Sequence, residues 1–398
     1  MLSCNHRKAR WLGIAIAVLV LLVGCDQDDV FEPTLRPDDT LVEPSEHLAR
    51  AQDGGAVVMT RNLFVGAPVE MIYAPDVDVF QAAADLWEWV ESTDFEERAE
   101  ALADEIADAQ PHAVGLQEVS VFLVFTDFDP VTQSFNPQPV GALNFLEVLL
   151  GKLQDRGLYY VPISNSENFQ GAVPMYDGDS ATGLSLISLA DFDFIIVRDD
   201  VAPYATNPQN GDFVRVLEVG LLGQTLEIDR GWASIDLTVN SLNFRFVTTH
   251  LEPQEPDPTI QVDQGYELIE VLTNWTLPGD PTLPTIVTGD MNSAADGSDT
   301  PTYGNFIDAD FVDAWGPRRR GYTCCQPEHL LNRRSELDRR VDVILLRGDF
   351  GHLLPLRTAV FAWRVGHRVR DKTPSGLWPS DHAGVVAAMR PPPPLAAR

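Results

Sequence analysis

Cysteine is scarce in this chain of 398 residues, which has four. Cys4 and Cys25 lie near the start, leaving the adjacent pair Cys324-Cys325 for the rest. A disulfide framework and a zinc site both need spaced ligands, so neither is available. The pair can close into a vicinal disulfide or remain two buried thiols; ring strain opposes the first and an oxidising compartment favours it. Positive charge is also short, with 28 Lys and Arg against 59 Asp and Glu and a formal net charge of −31. Such a chain repels polyanions at long range. No Gly-x-x-x-x-Gly-Lys element, HExxH helix or dinucleotide fingerprint occurs, which removes the usual grounds for nucleotide binding or zinc proteolysis. Aromatics interleaved with basic residues, expected for single-strand binding, are sparse.

The start of the chain is patterned. Arg7, Lys8 and Arg10 precede an uncharged run of 13 residues, Trp11 to Val23, suited to the apolar region of a signal peptide and short for a bilayer span. Leu22-Val23-Gly24-Cys25 resembles a bacterial lipobox, which implies cleavage before Cys25 and acylation of its sulfur and new amino group. Residues 1–24 are therefore read as a lipoprotein signal peptide, the alternative being an ordinary cleaved signal with an incidental cysteine. Each buried methylene of an acyl chain adds about 0.8 kcal/mol, so several chains anchor stably. The expected location is exported and membrane-anchored, on the periplasmic or extracellular side. Cleavage removes three of the 28 cations and no acid, leaving 25 against 59, or −34. Residues 25–55, rich in Asp, Glu and Pro, read as a disordered tether with an end-to-end distance on the order of 30 Å. Residues 391–398 read as a Pro-rich tail. One domain, 56–390, lies between, and a monomer is expected.

With 44% hydrophobic and 22% charged residues, the chain can bury a large core. Strands are expected at 56–59, 113–116, 184–189, 192–197, 233–239, 244–248, 285–288, 341–346 and 384–389. Helices are expected at 79–92, 95–109, 143–155 and 260–273. Several strands are apolar on both faces, so helices must cover the sheets from outside.

Polar residues gather where these strands end: Asn62, Glu118, His250, Asp290, Asn292 and the pair Asp381-His382. Strand ends are where sheets expose ligand-binding and catalytic groups. Carboxylate and amide oxygens converging there suit a hard cation such as Mg²⁺, and histidines beside it suit proton transfer and charge stabilisation. Taken singly, each residue has an ordinary explanation as a turn cap, a solvated carboxylate or a hydrogen-bonded structural histidine.

Their order makes the chain resemble the endonuclease/exonuclease/phosphatase superfamily. The matching pieces are Thr60-Arg61-Asn62, Leu116-Gln117-Glu118, Thr249-His250-Leu251, Gly289-Asp290-Met291-Asn292, Arg340-Val341-Asp342 and Ser380-Asp381-His382, in the family's order. The resemblance implies an α/β fold, a four-layer α/β/β/α sandwich with two mixed β-sheets packed face to face and helices outside. It implies metal-dependent phosphoester hydrolysis with Mg²⁺ or Mn²⁺. Glu118, with Asn62 beside it, would hold the principal ion, and Asp290, Asn292 and Asp381 would complete the metal and nucleophile environment. His382, oriented by Asp342, would be the general base; His250 would bind a phosphate oxygen or assist the leaving group. Arg230-Gly231-Trp232 is a looser match to a family strand entry.

The chain departs from better-known members in a long helical insertion reaching residue 110, and no segment matches a nuclease's DNA-contacting loops. Trp87, Trp89 and Phe95 are read as core. Cations fall late, at Arg318, Arg319, Arg320, Arg333, Arg334, Arg339, Arg340, Arg347, Arg357, Arg364, Arg368, Arg370 and Lys372, where the fold can gather some of them at a phosphate cleft. The acidic charge and the tether favour a phospholipid head group or a small exported phosphoester as substrate. An extracellular or periplasmic nuclease is the runner-up, and an inactive binding lipoprotein of the same fold is a further alternative. A serine ester hydrolase built on Ser180 leaves Glu118, Asp290 and Asn292 without roles.

Overall fold

The computed structural model describes Leu48 and residues 54–389, apart from 127, 129–134, 136–137, 181, 241, 317–320 and 351–359. The signal peptide, Cys25, most of the tether, the tail, Arg318, Arg319, Arg320 and Arg357 lie outside the described residues.

The chain begins its first sheet with β1 (Ala56–Asn62), β2 (Ala113–Gln117), β3 (Val121–Phe125), β4 (Gly141–Asn144), β5 (Tyr160–Tyr176) and β6 (Leu184–Arg198). Then come β7 (Ala205–Asp212) and a separate hairpin, β8 (Leu217–Leu221) and β9 (Gln224–Ile228). The second sheet joins β7 to β10 (Gly231–Val239), β11 (Leu242–His250), β12 (Thr285–Asp290), β13 (Val312–Asp313) and β14 (Asp342–Arg347). β15 (Val360–Val365) and β16 (Gly384–Met389) return to the first sheet beside β1. Among the described residues the sheets have eight and six strands. Each is mixed: β1 runs parallel to β2 and β11 to β12, and the other pairings are antiparallel.

The period-two alternation of strands explains the layers. Ala56 and Val58 point into a core between the sheets with Ile235, Phe246 and Ile286, whereas Val57 and Met59 point outward. Helices α1 (Val79–Ser92), α2 (Phe95–Ala109) and α3 (Phe145–Asp155) cover that outer face; α4 (Pro258–Thr273) and α5 (Thr302–Asp308) cover the second sheet. Two sheets face to face with helices outside form the expected four-layer sandwich. Asp78, Asp94, Asn144 and Asp257 cap the first four helices by accepting from early backbone N–H groups, which sets where each helix starts. The insertion before residue 110 is α1 and α2, an outer layer of the core, and Phe95 stacks on Phe145 at 3.6 Å.

Some elements differ from expectation. The strands expected at 184–189 and 192–197 are one, β6, which runs through Ala190-Asp191 and pairs with β5 along its length. β5 escapes hydrophobic patterning because buried positions carry the polar Ser164, Ser166 and Asn168 while exposed ones carry Val161, Ala172 and Tyr176. The third helix starts at Phe145 rather than 143 because Leu143 pairs in β4 and Asn144 is the cap.

Two close contacts align the strand ends that matter. A Cβ on Gly115 would stand 2.5 Å from Thr288 Oγ1 and 2.6 Å from Thr248 Oγ1 across the sandwich, so glycine lets the sheets approach. Arg98, fully buried on α2, donates to Thr93 O, Leu63 O, Phe64 O and Pro379 O at 2.6–3.1 Å. It thereby ties the turn after Asn62 to the turn before Asp381. Arg98→Met leaves these buried carbonyls without their donor, at about 1–3 kcal/mol each. A loss of roughly 3 kcal/mol or more is expected in urea denaturation; a loss below about 1 kcal/mol contradicts the tie.

Candidate active site

Six strand ends meet at one end of the sandwich. β1 delivers Asn62, and β2 ends one residue before Glu118, which turns out of the sheet at φ 55°. In the second sheet, His250 pairs with Asp290 in parallel register, and Asp290 pairs with Asp342 on its other side. Gly289, at φ 153°, has no room for a Cβ because Thr249 O occupies that place, so the approach of β12 to β11 requires glycine. Asp381 and His382 immediately precede β16. Cys324 bridges the backbones of Arg339 and His382 and is disulfide-bonded to Cys325, which closes the choice left open by sequence.

The side chains form a connected set. Asn62 Nδ2 donates to Glu118 Oε1 at 2.8 Å and to Asp290 Oδ2 at 3.3 Å, while its oxygen accepts from Phe64 N. Val65 N donates to Glu118 Oε2 at 2.6 Å. Asn292 N donates to Asp290 Oδ1 at 2.8 Å, and Asn292 Nδ2 donates to Leu251 O and stands 3.1 Å from His250 Nε2. His382 Nδ1 lies 2.8 Å from Asp342 Oδ2, and its Nε2 lies 3.6 Å from Asp290 Oδ2 and 4.0 Å from Asp381 Oδ2. Arg230 Nη1 is 3.1 Å from His250 Nδ1. Both ring nitrogens of His250 thus face donors, the Arg230 guanidinium at Nδ1 and the Asn292 amide nitrogen at Nε2, and Nε2 lies 3.6 Å from Asp290 Oδ2.

Enclosure sets the electrostatics. Burial first, then repulsion from Asp381 and Asp191, pushes Glu118 up to about 7. Burial likewise lifts Asp290 to about 6 and raises Asp381. Burial opposes charge on His382, but Asp342, Asp381 and Asp290 together outweigh it and hold the ring well above its ordinary value. Burial, Arg230 and His382 all press His250 well below that value, so it is neutral. The two rings therefore differ: one favours a proton and the other refuses it.

The structure brings together Asn62, Glu118, His250, Asp290, Asn292, Asp342, Asp381 and His382. It also shows residues that sequence reading passed over. Asp191 and Asn168 line the same cavity, where Asn168 Nδ2 bonds both Asp191 and Asp193 at 3.1 Å. Their signal was two acids two positions apart on one face of the otherwise apolar β6. Glu252 holds Arg230 at 3.0 Å. Of the late cations, Arg339 lines the cavity, whereas Arg340 is held by Asp313 and Lys372 by Asn332 O. Ser180 sits in the turn between β5 and β6, its hydroxyl against Asp177 O and Leu184 O.

The Endonuclease/Exonuclease/phosphatase family model matches residues 90–382. The chain belongs to this family. Its members are phosphoester hydrolases that depend on a divalent metal ion. Among solved structures, an endonuclease/exonuclease/phosphatase family protein from Leptotrichia buccalis is similar at 16% identity, over 84% of this chain and 99% of its own, with TM-score 0.47. A humanized D. rerio TDP2 is similar at 15%, over 83% and 97%, with TM-score 0.46. The Bacteroides thetaiotaomicron mannosyl-6-phosphatase is similar at 15%, over 83% and 98%, with TM-score 0.43. Likenesses this distant add nothing to the assignment, which rests on the family match. No curated protein sequence matches the chain significantly.

The raised Glu118 has a consequence for this endonuclease/exonuclease/phosphatase domain. Between its ordinary 4.5 and about 7, the folded state holds a proton that the unfolded state has released, so stability from this group falls as pH rises through that window. In chelator, Glu118→Gln should gain stability relative to wild type on going from pH 5 to pH 8, by roughly 1–2 kcal/mol. Thermal denaturation at both values checks it; the same offset at pH 5 and pH 8 contradicts it.

Proposed function

We propose that this protein is an exported, lipid-anchored phosphoester hydrolase that works with Mg²⁺ or Mn²⁺ and uses His382 as general base. The observation that carries the reading is the buried Asp342–His382 pair, 2.8 Å apart, opening on one cavity with Glu118, Asp290 and Asp381. The donor set fits a hard cation, being carboxylate oxygens with no thiolate among them. Glu118, Asp290 and Asp381 would hold the ion, with Asn62 and Asn292 adjoining them. Bound there, it would offset the repulsion among these acids and counter charge growing on phosphoryl oxygens. Asp290, Asp342 and His382 also offer ligand atoms within 4.8 Å of one another, but Asp342 is engaged by His382, which favours the carboxylate set.

The protein's own groups divide the remaining work. Asp342 keeps the hydrogen on His382 Nδ1 and leaves Nε2 facing the cavity. With the charge of Asp290 and Asp381 balanced, the ring gives up its second proton; a water there then passes a proton to Nε2 as its oxygen bonds to phosphorus, and the bond from phosphorus to the ester oxygen breaks in line. The departing alkoxide takes a proton from solvent and leaves as the alcohol. Neutral His250, fixed by Arg230 and Asn292, borders the phosphoryl oxygens without adding a second positive ring beside His382.

The strong negative charge and the acidic tether support a phospholipid head group or a small exported phosphoester as substrate, with acylated Cys25 holding a monomer at a membrane. With bis(p-nitrophenyl) phosphate, chelator should abolish turnover and Mg²⁺ or Mn²⁺ restore it. His382→Ala and Asp342→Asn should each lower kcat by about 10²–10⁴ with the fold retained. Activity that persists in chelator, or a kcat within threefold of wild type in His382→Ala, would sink the reading; preferential cleavage of plasmid DNA would move it to a nuclease.

A further inference from the structure

The catalytic side chains make up only part of the lining of their cavity, which has a volume of about 450 Å³. Its other walls come from three separate pieces of chain. The segment after β1 supplies Val69 and Ile72, the β5–β6 pair supplies Phe169 and Leu189, and the β8–β9 hairpin supplies Leu226 and Ile228. All six side chains are only partly buried, so they keep apolar surface facing the space. Apolar lining of this kind marks a ligand surface.

The polar groups along the cavity argue against a polyanion as its occupant. Arg230 is neutralised by Glu252 at 3.0 Å, and Glu70 and Glu328 add negative charge to the lining. A nucleic acid strand needs cations tracking successive phosphates, and Arg339 is the one further cation among the described lining residues. A sugar phosphate would set hydroxyls against six apolar side chains, leaving their hydrogen bonds unmade.

We infer that this chamber takes the hydrocarbon chain of the substrate, which is therefore a lipid phosphoester whose phosphorus lies at the His382 end and whose chain runs toward the β8–β9 hairpin. The inference rests on the hydrolase reading for the chemistry and on the apolar walls for the substrate class.

Two arms of one experiment separate these. In the first, p-nitrophenyl n-alkyl phosphates from methyl to octyl share one leaving group, and kcat/KM is measured with Mg²⁺ or Mn²⁺. Each added methylene should raise it by up to about fourfold until the chamber is full. Leu226→Ser with Ile228→Ser should flatten that slope. In the second, calorimetry follows binding of methyl, butyl and octyl phosphonates, which do not turn over; affinity should climb with length and the heat-capacity change should grow more negative. Metal-dependent turnover with no chain-length gain in either arm overturns the chamber and leaves the hydrolase standing. Chain-length gain in phosphonate binding with no ester turned over keeps the chamber and overturns the hydrolase. An unchanged slope in the double variant, or an oligonucleotide that competes better than octyl phosphonate, overturns the inference.

Discussion

Desolvated like charge is the constraint around which this structure is arranged. Glu118, Asp290 and Asp381 converge in a confined volume, with Asp191 and Asp193 close behind. Acids removed from water are costly unless each meets a partner. Much of the surrounding architecture supplies such partners. Asn62 bridges Glu118 and Asp290, backbone N–H groups of Val65 and Asn292 bond their outer oxygens, and Asn168 bridges Asp191 and Asp193. Arg98 lies beneath as a buried guanidinium whose donors hold the two turns that carry Asn62 and Asp381. His382 takes its positive character from the same acids. A divalent ion among these carboxylates would complete the balance, so the proposed cation site and the proposed general base would form one electrostatic unit.

The strands that carry this unit were legible in the sequence because both of their faces are covered. Val57-Val58-Met59 and Ile286-Val287-Thr288 are apolar on both sides, and a polar residue at the end of such a run stands out. Position at such ends singled out residues 62, 118, 250, 290, 292, 381 and 382, and the resemblance in motif order added 342; the structure gathers all eight at one end of the sandwich. Strands with one wet face were not legible. β5 and β7 carry polar residues and prolines that read as loop until pairing with β6 and β10 supplies their hydrogen-bond partners. Asp191 and Asn168 were missed for the same reason, since their meaning depends on which neighbour each strand finds. The join of Cys324 to Cys325 depends on backbone orientation, which spacing does not encode.

Charge and apolar surface divide the work of recognition. The chain is acidic as a whole, yet its cavity is lined both by the polar groups around His382 and by aliphatic side chains such as Leu226 and Ile228. A phosphoester bound there places its ionised group where the protein's donors lie and its carbon chain where water is least favoured. The β8–β9 hairpin stands apart from both sheets, so the wall it contributes can vary without disturbing the strand ends that hold the catalytic groups.

On this proposal the carboxylate cluster is a cation site built from strand ends of both sheets. Calorimetric titration of Mn²⁺ into the protein near pH 7, repeated in buffers of different ionisation enthalpy, tests it most directly. Saturable binding accompanied by proton release is expected, because burial pushes Glu118 up to about 7 and Asp290 to about 6 before the ion arrives, and that binding should be lost in Glu118→Ala. Absence of binding, or binding that is undiminished in Glu118→Ala and releases no proton, would contradict it.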